Sequence, residues 1–194
     1  MENPGVGGGA PDQTMPSFIA TGPPSNSVSA LIHTPESTLM LGDSPTAWVE
    51  IRNISDEPIL LLCSLDGSSW SGRCPVAYFE VKGPLGGVET IDPLPCITLS
   101  PLRLSNFVAL DPGSSFDPHK RVDERRCTSD DSLENFRITK PGNYTIVFHY
   151  STDVGEREPR IDMERTADLA LLQSLERVPR VSISCSTSLQ VREP

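Results

Sequence analysis

The sequence predicts an all-β protein, an antiparallel β-sandwich with one late α-helix and a disordered amino-terminal leader. Three observations carry this. The 194 residues include 14 Gly and 19 Pro but only 6 % aromatics, a composition of many turns and short strands. Several short runs alternate apolar and polar residues, the period of a strand with one buried face. One stretch near the carboxyl end changes to helical spacing. The length fits one domain of roughly 150–170 residues plus a tail. A domain of that size buries about two-thirds of its unfolded surface, so it needs neither a metal nor a disulfide to fold.

The elements follow in chain order. Residues 1–28 hold five Gly and five Pro with almost no apolar periodicity, too little buried surface to offset chain entropy, and read as a disordered leader before a domain over 29–194. Val28 to His33 forms a first strand, and a Pro-containing turn leads to a short segment over Thr38–Leu41. Gly42-Asp43-Ser44-Pro45 turns the chain into Thr46–Asn53, where Ala47, Val49 and Ile51 alternate with Trp48, Glu50 and Arg52. Asn53 to Pro58 is dense in turn formers, and Ile59–Leu65 follows as a more buried strand. Strand, turn, strand reads as an antiparallel meander.

Asp66 to Gly72 is a polar loop around Trp70, and Pro75–Lys82 returns to a strand with Ala77, Phe79 and Val81 on one face. Gly83–Arg103 is a long excursion, of a length that is often functional or disordered. Leu104–Leu110 is a strand ending at the turn Asp111-Pro112-Gly113. Asp117–Asn135 mixes basic and acidic residues and reads as a solvated loop. Lys140-Pro141-Gly142-Asn143 then opens a strand with Tyr144, Ile146, Phe148 and Tyr150 on one face. A turn followed at once by a strand-opening tyrosine is the pattern of a tyrosine corner, so the sandwich is expected to be immunoglobulin-like. The helix is expected over Asp162–Glu176, with Asp162 as N-cap, Leu171, Leu172, Leu175 and Val178 on one face, and Pro179 as stop. Val181–Cys185 and Leu189–Val191 supply the last strand or bent strand pair.

Several of these segments carry a likeness. Leu65-Asp66-Gly67-Ser68, Tyr78-Phe79-Glu80-Val81, Phe107 to Gly113, Phe116-Asp117-Pro118, Lys140 to Tyr144 and the closing helix before Val178-Pro179 resemble uncharacterised bacterial proteins with an immunoglobulin-like domain. The likeness spans roughly Thr38 to Val191. It implies a fold and no catalytic residues. A looser likeness is to the sandwich domain that precedes the catalytic part of deuterolysin-type metallopeptidases, but this chain has no HExxH, so that activity does not transfer.

Composition and spacing narrow the chemistry. A net charge of −10 repels a phosphate backbone, so nucleic acid is not an expected partner. No apolar run approaches the ~20 residues of a membrane-spanning helix. The amino terminus shows no signal-peptide pattern, and the expected compartment is the cytoplasm. Cys63, Cys74, Cys96, Cys127 and Cys185 are widely spaced with no CxxC, and are expected to be free thiols, although a bridge among Cys74, Cys96 and Cys127 stays open for an exported protein. The sequons at Asn53 and Asn143 read as chance matches. The three histidines, His33, His119 and His149, lie far apart and predict no metal site, with His149 at an exposed strand position. No nucleophile elbow and no phosphate loop occur, so neither catalysis nor a cofactor is expected.

Trp48 lies opposite the core face of its strand, and packing within a two-sided sheet or under the helix accounts for it. Trp70 in its Gly/Ser loop, with Arg73 beside it, is the candidate binding site, because large aromatics and arginines dominate protein interfaces. The expected function is therefore a non-catalytic binding or scaffold module. It contacts a protein partner through the loops Asp66–Arg73, Gly83–Arg103 and Asp117–Asn135. A carbohydrate-binding sandwich at the cell envelope is the second reading, and a hydrolase with an unrecognised Cys–His or metal site the third.

Overall fold

Period-two alternation sends every second residue of the longer strands into one interior. The computed structural model describes residues 18–21, 26–62, 77–89, 104, 107–118, 133, 136–152 and 169–194. Among these residues the strands are β1 (Phe18–Thr21), β2 (Val28–Thr34), β3 (Thr38–Met40), β4 (Trp48–Asn53) and β5 (Ile59–Leu62), then β6 (Ala77–Lys82), β7 (Phe107–Leu110), β8 (Ser115–Phe116), β9 (Gly142–Ser151) and β10 (Ser182–Arg192), with one helix, α1 (Leu169–Arg177). They form an all-β protein of several sheets, in the orders β1-β2-β4-β8, β3-β10-β9-β6 and β5-β7. Every pairing is antiparallel except β3 with β10, which run parallel. No helix among the described residues is long and apolar enough to cross a membrane.

The inward residues form one core. Val28, Ala30 and Ile32 of β2 and Val49 and Ile51 of β4 meet Phe79 and Val81 of β6, Ile146, Phe148 and Tyr150 of β9, and Ile183, Cys185 and Leu189 of β10. Phe79 and Phe148 are tilted against each other at 5.4 Å, and Phe116 meets Tyr150 edge-on at 6.3 Å, both favoured aromatic geometries. Two buried tyrosines keep their hydroxyls paired: Tyr144 donates to the Lys140 carbonyl and Tyr150 to the Leu62 carbonyl, each at 2.9 Å. Thr152 closes the base of the helix-bearing excursion, its hydroxyl donating to the Pro179 carbonyl at 2.6 Å and accepting from the Val181 amide at 3.0 Å.

Two features differ from the sequence reading. The Phe18–Thr21 segment, inside the expected leader, is a strand; its short apolar run is diluted when averaged with the surrounding Gly and Pro. β4 and β5 are not a meander: they pair with β8 and β7, strands that come much later in the chain. Asn53 causes this break. Fully buried, its amide donates to the carbonyls of Glu57 (2.8 Å) and Leu110 (3.0 Å), and its oxygen accepts from the amide and hydroxyl of Ser55 (2.9 and 2.7 Å). With its side chain saturated and enclosed, Asn53 offers no acceptor for a glycan. Of the two forms the sequence allowed, the last strand is the continuous one, over Ser182–Arg192. The described helix covers Leu169–Arg177, and the expected cap Asp162 lies outside the described residues. Leu175 packs this helix on the core, against which β5 also lies.

Candidate functional site

Alternation that buries one set of residues presents the other, and on β6 and β9 the presented set carries the chemistry. Tyr78, Glu80 and Lys82 face outward from β6, and Thr145, Val147 and His149 from β9. The register sets Tyr78 opposite His149, Glu80 opposite Val147 and Lys82 opposite Thr145. β10 continues the rows with Ser184, Ser186 and Ser188. The Tyr78 and His149 rings stack at 4.8 Å with 19° between planes. Glu80 pairs with Lys82 at 3.1 Å, and its other oxygen lies 3.8 Å from His149 Nε2, beyond hydrogen-bond reach. That Nε2 is buried and has no hydrogen-bond partner.

These contacts set the charge of His149. Burial lowers its pKa below the usual 6.5, Glu80 opposes that shift, and Lys82 adds to it. His149 is therefore neutral near pH 7 and takes a proton only on acidification. The sequence reading placed His149 at an exposed position; its side chain is only 30 % exposed, because Tyr78 covers it from the neighbouring strand.

At the Lys82 end of β6 the chain turns tightly. The Gly83 amide donates to the Gly87 carbonyl and the Gly86 amide to the Gly83 carbonyl, both at 2.9 Å, and Gly86 has φ +78°. This is a three-residue hairpin loop with its last residue left-handed, where glycine avoids a Cβ clash. Pro84 packs against Gly142, whose φ of +135° and close approach exclude a side chain there. The loop tip is thus docked onto the start of β9. It presents Leu85, 92 % exposed and the most exposed large apolar side chain among the described residues. Val88 is 55 % exposed and bridges Lys82, which puts it on the same outward face.

The expected binding residues Trp70 and Arg73 lie outside the described residues, as do His119, Cys63, Cys74, Cys96 and Cys127. What is described is where their loop attaches. Residues 63–76 join β5 to Ala77, which pairs with Tyr150, whereas the Gly83 hairpin leaves from the opposite end of β6, where Lys82 pairs with Thr145. The two loops expected to form one contact surface therefore flank β6 at its two ends, with the Tyr78–Lys82 face between them. Of the third, Asp117–Asn135, the described residues include Leu133, which is buried in the core.

Elsewhere, the groups that could do chemistry are kept apart. Cys185 points into the core while His149 on the adjoining strand points out, and burial pushes the Cys185 thiol up to about 12. No group of three or more potential metal ligands is found among the described residues. An open cleft of about 250 Å³ near β3 is lined by Glu36 and Asp43, but Asp43 is engaged in accepting from the Met40 amide and Ser44 in donating to the Phe136 carbonyl. Trp48 lies on the outward face of β4, half-buried, stacked on His33 at 5.3 Å. Sequence reasoning missed both stacked pairs, because each joins strands whose register is not visible locally. The chain matches no protein-family model, no curated protein and no solved structure.

Proposed function

We propose that this chain is an immunoglobulin-like β-sandwich acting as a non-catalytic binding module for a protein partner. β2, β4 with β5, and β7 with β8 form one layer, and β3, β10, β9 and β6 the other. Two observations support the fold reading. β3 runs parallel to the last strand, as a first strand does when it crosses between layers, and Tyr144 opens β9 with its hydroxyl on a carbonyl four residues upstream, as in a tyrosine corner.

The binding reading rests on one juxtaposition. The pre-stacked Tyr78–His149 pair lies on a face where Glu80 and Lys82 pair at 3.1 Å, on a chain of net charge −10, and the exposed apolar tip at Leu85 leaves from the end of the same strand. A pre-ordered aromatic loses little entropy on binding, and a charge-compensated face avoids long-range repulsion. Trp70 and Arg73, the anchor expected from the sequence, belong to the segment that joins β5 to β6. The test is affinity capture with the intact chain, comparing wild type with Leu85→Asp, Tyr78→Ala and Trp70→Ala. A protein retained near stoichiometry by wild type, and weakened at least tenfold by each change, is the expected result. Equal retention by all four chains would refute this surface.

A glycan partner is the second reading, favoured by a sheet face that carries the Tyr78 ring together with the hydroxyl residues Ser184, Ser186 and Thr145. A shift of intrinsic fluorescence on adding oligosaccharide, with no protein captured, would select it.

A further inference from the structure

We propose that His149 and Glu80 form a proton-operated latch between β9 and β6. On acidification the ring stays stacked on Tyr78, and its Nε2–H closes onto the Glu80 carboxylate, which turns away from Lys82. The side chains already stand one short movement from this arrangement. Glu80 Oε2 lies 3.8 Å from His149 Nε2, while Oε1 holds the Lys82 ammonium at 3.1 Å. Nε2 is buried and has no hydrogen-bond partner among the described residues. A proton placed there makes a buried charged donor, which is costly unless an acceptor reaches it. From β6, three titratable groups share the face of His149: Tyr78, Glu80 and Lys82. The other outward residues of β9 and Ser184, opposite His149 on β10, carry no charge. Of all these neighbours Glu80 alone is an anion.

The neighbours also decide which group moves. The Tyr78 ring lies 4.8 Å from the His149 ring with 19° between planes, and a cation over an aromatic face is attracted to it, so protonation strengthens the stack. The carboxylate is the mobile member. A charge-assisted N–H···O bond spans about 2.7–2.9 Å, so Glu80 needs to move by only about 1 Å. Lys82 is 44 % exposed, and water takes up the ammonium that Glu80 releases. Burial, with Lys82, holds the protonation of His149 below the usual 6.5, and Glu80 draws the proton in. Before closure the charges of Glu80 and Lys82 offset each other; after it, the three side chains carry one net positive charge. β6, the last strand in its sheet order, gains a side-chain tie to β9. The latch belongs to the free chain and does not rest on the partner proposed above.

The test is NMR of the full-length chain from pH 8 to pH 4, with no partner added. The Glu80 side-chain carboxyl carbon is expected to shift with the midpoint of the His149 ring, as a step separate from its own protonation. Cross-peaks between the Tyr78 and His149 rings should persist through that step. Glu80→Gln keeps the shape and removes the charge, and should weaken proton binding at His149 about threefold or more. The first two readings use the unaltered chain, so the test stands even if the variant folds poorly. Loss of the ring cross-peaks as His149 titrates would mean that the cation swings out into water, which overturns the latch. A Glu80 carboxyl that does not follow the His149 midpoint overturns it as well, and so does a folded Glu80→Gln chain with an unmoved His149 titration.

Discussion

Each of the two outward sheet faces carries a histidine, an aromatic ring stacked on it and a glutamate close to its Nε2, and the two differ in what else holds the glutamate. On β2 and β4, His33 stacks on Trp48 at 5.3 Å, with Nε2 3.6 Å from Glu50. On β6 and β9, His149 stacks on Tyr78 at 4.8 Å, with Nε2 3.8 Å from Glu80. In both, Nε2 is buried and unpartnered. Glu80, however, is held by Lys82 at 3.1 Å, whereas Glu50 has the Ser115 hydroxyl at 3.5 Å. A cation two residues along the strand thus turns a histidine–carboxylate pair into a three-way competition, in which His149 is the member without a bond. The lesson is that a stacked histidine beside a carboxylate is not by itself a site. Its response depends on what else the carboxylate holds.

The faces also stand on different supports, and breaking those gives the largest effects. Beneath Tyr78 and His149 lies the aromatic layer of Phe79, Phe148 and Tyr150, so Phe148→Ala should lower unfolding free energy by about 3–5 kcal/mol. Beneath Trp48 and Glu50 lie Val49 and Ile51, and that strand ends on Asn53. Asn53→Ala strands the buried carbonyl of Leu110 and frees the turn at Ser55, for a loss of about 2–3 kcal/mol. Urea unfolding measures both. If Asn53→Ala cost less than about 1 kcal/mol, its network would be replaced by water and the β4–β5 break would need another cause.

How much of this was legible in the sequence follows from how local each signal is. The alternation in Ala77–Lys82 and Tyr144–Tyr150 named the buried faces of β6 and β9, because period two needs no partner. The strand-opening tyrosine was legible for the same reason, its bond spanning four residues. β8, two residues long, was not, nor was the pairing of β4 and β5 with strands much later in the chain. Asn53 reads as one turn former among several; its role appears only when Leu110 arrives. Trp70 was flagged as an isolated aromatic in a polar loop. Tyr78 and His149, 71 residues apart, were not, since nothing local sets them opposite each other.

A smaller effect is read at His149 by pH. The His149 pKa lies below its unfolded value of 6.5, so below that pH the unfolded chain binds protons that the folded chain does not. The sign is then fixed. The contribution is fully present above 6.5 and is lost as pH falls from 6.5 through the folded pKa. His149→Gln should flatten the decline of stability between pH 7 and pH 5 relative to wild type, measured as the difference between two series of denaturation midpoints. Parallel curves would mean that His149 is solvated in both states.

The smallest effect sharpens the comparison most. Lys82→Met removes the cation that distinguishes the two faces. Half exposed, the Lys82–Glu80 pair contributes little to stability, so the midpoint should move by no more than about 0.5–1 kcal/mol. The His149 titration should move much more visibly. With Lys82 gone, one influence lowering its pKa disappears and Glu80 no longer divides its charge between two bases, so the pKa rises. Ring-proton NMR of His149 across pH 4–8 reads this directly. A rise at His149 identifies Lys82 as a cause of its lowered pKa. An unchanged His149 leaves burial under Tyr78 as the whole cause, and Tyr78→Ala, which uncovers the ring, should then raise its pKa instead.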